Sequence, residues 1–216
     1  MRGFFSMDGG LFTFLNKVFD IGYLSILWII FSLPIVTIGA STTALYYTTV
    51  KVIRKGRGYV FREFFDSFRL NLKQGILYTL IIIAAVAIFG VNFEFSNAIS
   101  GTGGKVLFGI YIALAYLCIC CATYLFPVLS RFTGSFGHTL KTSLLLSVKH
   151  YPYTVVLQII FAAAVVLTMY IPILIILMPA AGSATYSLMM EKVLIRYIPK
   201  DEEDVSDAWY FDHDAR

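Results

Sequence analysis

Three histidines and three cysteines are the residues whose types could bind a metal or carry nucleophilic chemistry, and neither set has the spacing for it. His138, His150 and His213 stand far apart in loop or tail sequence, whereas zinc ligands come in closely spaced pairs. Cys118, Cys120 and Cys121 sit together inside an uncharged apolar run at 106–130, where they read as small packing residues and say nothing about redox compartment. No glycine-rich phosphate loop, paired catalytic carboxylates or nucleophile motif occurs. An enzyme activity, a metal, a cofactor and a nucleic-acid partner are therefore not expected.

Proton or ion coupling would need ionisable side chains at membrane depth, which are costly there and usually functional. The apolar runs carry none. Lys17 and Asp20 stand three residues apart at the start of the first run, where they predict a local ion pair at the interface. Gln158, Thr168 and Tyr170 supply polar atoms inside the fifth, and interhelical hydrogen bonding accounts for them.

The elements that would hold these residues are set by lipid. The 216-residue chain is 58% hydrophobic and only 14% charged, with a mean hydropathy of +0.78, outside the range of soluble domains. Residues 74–92, 106–130 and 152–190 contain no Asp, Glu, Lys or Arg, and each run meets the length of about 20 residues that crosses a hydrocarbon core. The first long apolar run starts only at Ile21 and continues past any cleavage site of small residues, so it is expected to be retained as a span.

Two stretches, 12–55 and 153–197, are too long for one crossing at about 1.5 Å per residue. Each is interrupted by proline and glycine, at Pro34 and Gly39 in the first and at Pro179 and Gly182 in the second. Each also ends on cations, Lys51, Arg54 and Lys55 or Lys192 and Arg196. A further echo pairs 67–74 with 143–150; duplication or shared physical demand at a membrane surface explains either match.

Seven Lys or Arg between 51 and 73 stand against Glu63 and Asp66, and 131–150 carries Arg131, Lys141 and Lys149 with no acid. Both segments are read as cytoplasmic and 92–105 as external. The predicted fold is all-α, a polytopic transmembrane helical bundle with both termini inside. It has six crossings in three hairpins (12–55, 74–131, 152–197) and two interfacial amphipathic helices. A five-crossing thread with one bent first span is the alternative. Residues 1–199 form the membrane domain, and 200–216 an acidic cytoplasmic tail, expected to be mobile, in which Trp209, Tyr210 and Phe211 interrupt the acids.

The first interfacial helix, 61–73, spaces Phe61, Phe64, Phe65, Phe68 and Leu72 at helical intervals, with Arg62 and Arg69 among the charges opposite. Phe64, Phe65, Phe68, Arg62 and Arg69 form either an anchor on anionic lipid or a surface for a cytoplasmic partner. A weaker counterpart covers 139–150. Pro34, Gly39, Pro179 and Gly182 mark either tight external turns or the discontinuous helices on which transporters build sites.

The stretch from Leu24-Ser25-Ile26-Leu27-Trp28 through Leu33-Pro34-Ile35-Val36-Thr37-Ile38-Gly39-Ala40 and Ala44-Leu45-Tyr46-Tyr47, then Phe61-Arg62-Glu63-Phe64-Phe65, resembles the YesL-like bacterial membrane family. The likeness is specific over 11–73 and loose beyond, and Ala40 stands where the family tends to have proline. That family has no known function, and its members often accompany genes for oligosaccharide uptake and breakdown. The resemblance thus implies a non-enzymatic accessory component of carbohydrate uptake or sensing in the cell membrane, with a sugar-transporter permease or ATPase subunit as partner. It supplies no site residue. The alternative is a transporter or channel for a neutral solute using the broken helices.

Overall fold

The computed structural model describes residues 10–99, 101–132 and 134–197, with side chains from residue 15 onward. The acidic segment 200–216 and His213 lie outside them. Among the described residues every regular element is helical: α1 (Gly10–Phe31), α2 (Ile38–Thr48), α3 (Val60–Ala98), α4 (Thr102–Arg131), α5 (Phe136–Lys149), α6 (Tyr151–Tyr170) and α7 (Met178–Leu194). Three of them, α3, α4 and α6, are long and apolar enough to cross a membrane.

The first break falls where Pro34 places it. Residue 33 precedes a proline and is pushed out of the helical region, α1 stops at Phe31, and a 3₁₀ turn, Ile35–Thr37, leads into α2. A π-helical turn, Thr49–Arg54, extends α2. The second break differs from expectation. It lies at 171–177, around the 3₁₀ turn Pro172–Ile176, while Pro179 sits in the first turn of α7. There its missing N–H would have had no helical partner anyway, so Pro179 opens a helix, and Gly182 lies inside it.

The interfacial helix expected at 61–73 is not a separate element. It runs into the following span as one 39-residue helix. Nothing between 61 and 98 forbids this: there is no proline, and Gly75, whose helical cost is about 1 kcal/mol, is buried against α2. The connection expected to lie outside is also shorter than expected. Residues 92–98 and Thr102–Gly104 are helical, and between them Gly101 takes the left-handed φ of +94°.

The apolar helices are buried at one end only. In α3 the buried residues are Val60, Phe64, Ser67, Gly75, Tyr78 and Thr79, with Ser96 alone beyond them. In α4 they run from Cys120 to Leu129, apart from Gly104. In α6 they are Thr154 and Leu157, in its first two turns. The remainder exposes large apolar side chains such as Val86, Ile88, Ile112, Ile119, Phe161 and Val166. A water-facing surface would not tolerate so large an apolar area, whereas lipid demands it. The core thus gathers at the end that carries Arg62, Arg69, Lys73, Arg131 and Lys149.

Candidate functional site

The core at the basic end encloses two ion pairs. Arg131 ends α4, Glu191 lies in the last turn of α7, and Tyr46 projects from α2. Arg131 donates to Glu191 Oε1 from Nη2 at 2.9 Å and from Nε at 3.2 Å. Tyr46 Oη donates to the same oxygen at 2.6 Å. The two charged side chains are 2% and 5% exposed, so the pair is sealed from solvent and from any substrate in solution. Glu191 Oε2 has no hydrogen-bond partner among the described residues. Removing one member of such a pair strands the other charge in the core.

The second pair lies one layer outward. Lys51 donates to Glu63 Oε2 at 2.6 Å and to Tyr47 Oη at 3.1 Å, tying the π-helical turn to the first turn of α3. Lys51 lies beyond the apolar spans. Burial alone would lower its pKa, but its bonds to Glu63 and Tyr47 outweigh that and hold the ammonium above its ordinary range. Gly58, at φ +88°, leaves room for the Glu63 carboxylate, which would stand 2.5 Å from a Cβ there. Arg54 Nη1 donates to the Ser187 carbonyl of α7 at 3.0 Å. These charges, read from sequence as part of a cytoplasmic segment, are partly built into the packing.

The broken-helix residues separate into two kinds. Gly39 donates its N–H to Thr79 Oγ1 at 2.9 Å, and Thr79 donates to the Gly75 carbonyl at 2.8 Å. A Cβ on Gly39 would stand 2.5 Å from that carbonyl oxygen, and one on Gly75 would stand 2.6 Å from Ala40 N. Backbone meets backbone here because neither residue has a side chain. The Thr37 hydroxyl lies 2.6 Å from the Phe31 carbonyl and 2.7 Å from that of Pro34, so the chain satisfies its own break. Gly182 is different, since a Cβ on it would find only Ala164 Cβ at 3.7 Å. Beside Pro179, Ala180 donates its N–H to Ser25 Oγ at 3.1 Å, bringing the start of α7 onto α1.

The aromatic face of α3 is divided in the same way. Phe64 is fully buried and Phe68 half-buried, with Phe31 between them at centroid distances of 5.5 and 4.9 Å. Phe61 and Phe65 are 50% and 39% exposed and stack on one another at 6.0 Å. Arg62 and Arg69 are exposed beside them. Phe64 therefore belongs to the core, and the outward surface consists of Phe61, Phe65, Arg62 and Arg69.

The remaining polar candidates are local. Gln158 Nε2 lies 3.4 Å from Cys120 Sγ across α6 and α4. Thr168 bonds within its own helix, to the Ala164 carbonyl, and Tyr170 is 83% exposed. No ion pair joins Lys17 to Asp20. No group of three His, Cys, Asp or Glu among the described residues could hold a metal.

Sequence reasoning missed the Arg131–Glu191 pair because each residue borders an uncharged run and looks like a headgroup-facing end. One signal was available: Glu191 is the only acid between Glu94 and Asp201, and a single acid at the end of an apolar run calls for a cationic partner.

Residues 21–93 match the family described as "Protein of unknown function, DUF624". The chain is 27% identical over 142 residues to the uncharacterized protein YesL of Bacillus subtilis (strain 168), covering 64% of this chain. The match spans 66% of that relative's length. No solved structure matches the chain.

Proposed function

From the premise that this chain is similar to YesL and matches the model of a family of unknown function over 21–93, we propose that it is a non-enzymatic accessory component of oligosaccharide uptake or sensing in the cell membrane. In this reading it docks a permease or ATPase subunit on the outward face of α3. The observation that carries the docking part is the division of the α3 aromatics. Phe64 and Phe68 lock the helix into the core, which leaves Phe61, Phe65, Arg62 and Arg69 as a rigid apolar and cationic face at the basic end. A lipid anchor would gain from turning all four phenylalanines to the membrane; a presented surface needs some of them fixed inside. The carbohydrate part is supported by the company that YesL-like proteins keep.

Six crossings fit this reading, with α1 and α2 as the first hairpin, α3 and α4 as the second and α6 and α7 as the third. Passage of a neutral solute draws no support from the first break, where Gly39 and Gly75 leave no space between α2 and α3.

The test is purification from the native membrane of the wild type and of the Arg62→Glu/Arg69→Glu variant. Recovery of transporter subunits with the wild type and their loss with the variant supports the reading. Equal recovery from both refutes the α3 surface. Solute flux by the purified chain alone in liposomes would overturn the accessory role.

A further inference from the structure

An apolar groove of ≈ 380 Å³ runs along α5, lined by Thr142, Leu145, Leu146, Val148, Lys149 and Tyr197. Leu145 and Val148 are 58% and 59% exposed in it, an uncovered apolar strip on a helix whose other face is packed on α4. Its rim is cationic. Lys149 Nζ lies 5.1 Å from the centre of the Tyr197 ring, Lys141 stands one turn before Leu145 on the same side of the helix, and Arg196 is exposed beside Tyr197.

Tyr197, in the wall of this groove, is the last described residue, and residues 198–216 follow it in sequence. Their chemistry is its complement. Trp209-Tyr210-Phe211 is a compact aromatic group, and seven acids flank it on both sides against only Lys200 and Arg216. We infer that the C-terminal segment folds back onto α5, with the Trp209-Tyr210-Phe211 group covering Leu145 and Val148 and the acids facing Lys141 and Lys149.

Reach is no obstacle. Eleven residues lie between Tyr197 and Trp209, a span of up to about 40 Å when extended, and the groove begins at Tyr197 itself. The tether also makes the encounter intramolecular, which raises the effective concentration of the aromatic group to the millimolar range for a short flexible linker. A second copy of the chain is the weaker occupant. A two-fold contact through α5 would set Lys141 and Lys149 of one copy against the same residues of the other. The role that follows is a self-cover: the segment shields an apolar strip from the surface of anionic lipid and competes with any acidic ligand for the same lysines.

The test uses the full chain in nanodiscs of neutral phosphatidylcholine, with Trp28→Phe so that Trp209 alone fluoresces. Docking predicts a blue-shifted Trp209, shielded several-fold from acrylamide quenching relative to the same protein carrying Leu145→Asp and Lys149→Glu. A second measurement needs no substitution. Carbodiimide should join Lys141 or Lys149 to carboxylates of 201–214 within monomeric protein, as read by mass spectrometry. The inference is overturned if Trp209 is equally accessible in both proteins or if shielding persists in the groove variant. Shielding that requires anionic phosphatidylglycerol, or cross-links found only between copies, overturns it as well.

Discussion

Arg131 and Glu191 stand 60 positions apart in sequence and 2.9 Å apart in space, and together with Tyr46 they join the ends of α4 and α7 to the last turn of α2. The geometry makes the pair a test of what holds the basic end together. Glu191→Ala leaves the Arg131 guanidinium buried without its carboxylate and should cost about 3–5 kcal/mol. Arg131→Met combined with Glu191→Leu removes both charges and should recover most of that loss. Thermal unfolding in detergent reads the comparison. A double variant as unstable as the single one would show that packing, not charge, decides the site.

The contact between α2 and α3 makes a sharper distinction among glycines. Gly75→Ala or Gly39→Ala forces a methyl group into backbone 2.5–2.6 Å away and should destabilise by about 1–3 kcal/mol or more, as overpacking does. Gly182→Ala meets only an ordinary contact and should be neutral or slightly stabilising in a helix. The measurement is the melting temperature of the three variants side by side, and indistinguishable values would refute the close approach.

The two neighbouring phenylalanines of α3 should respond differently. Phe64→Ser empties a fully buried position, where truncation of Phe to Ala costs about 3–5 kcal/mol, and should lower folded yield. Phe65→Ser alters a side chain that is 39% exposed and should cost clearly less stability than Phe64→Ser while weakening partner recovery. Equal loss of stability in both would place the two rings in the same environment.

Topology is checked by labelling. With both termini inside, a cysteine at Ser6 should resist a membrane-impermeant maleimide in intact cells, and one at Gly101 should react, in a background with Cys118, Cys120 and Cys121 replaced by alanine. Reaction at Ser6 would leave five crossings and rule out six.

Much of the architecture was legible because lipid imposes simple rules. Uncharged runs located α3, α4 and α6, and Pro34 marked the first break. What escaped has physical reasons. The charges at Arg69 and Lys73 mark where water begins, not where a helix ends, since backbone hydrogen bonding passes through the lipid boundary without interruption. That is why 61–73 and 74–92 are one helix. Pro172 and Pro179 both fit a break, and only the position of the chain in space tells a proline that stops a helix from one that starts it. The Gly39–Gly75 approach and the Arg131–Glu191 pair are contacts between distant segments, for which a linear pattern carries at most the hint of a solitary acid.

The unbroken length of α3 has a mechanical consequence. Its closest approach to α2 is at Gly75, about 22 Å from its start and about 35 Å from its end at 1.5 Å per residue. That contact divides a stiff rod into a short arm and a long one. A tilt of about 5° at the short arm would sweep the far end of the helix, at Ala98, through about 3 Å in the opposite direction. A load on Phe61 and Arg62 strong enough to tilt the helix against the packing of Phe64 and Phe68 would be felt, reversed and enlarged, at its far end, as the blade of an oar answers the hand across its rowlock.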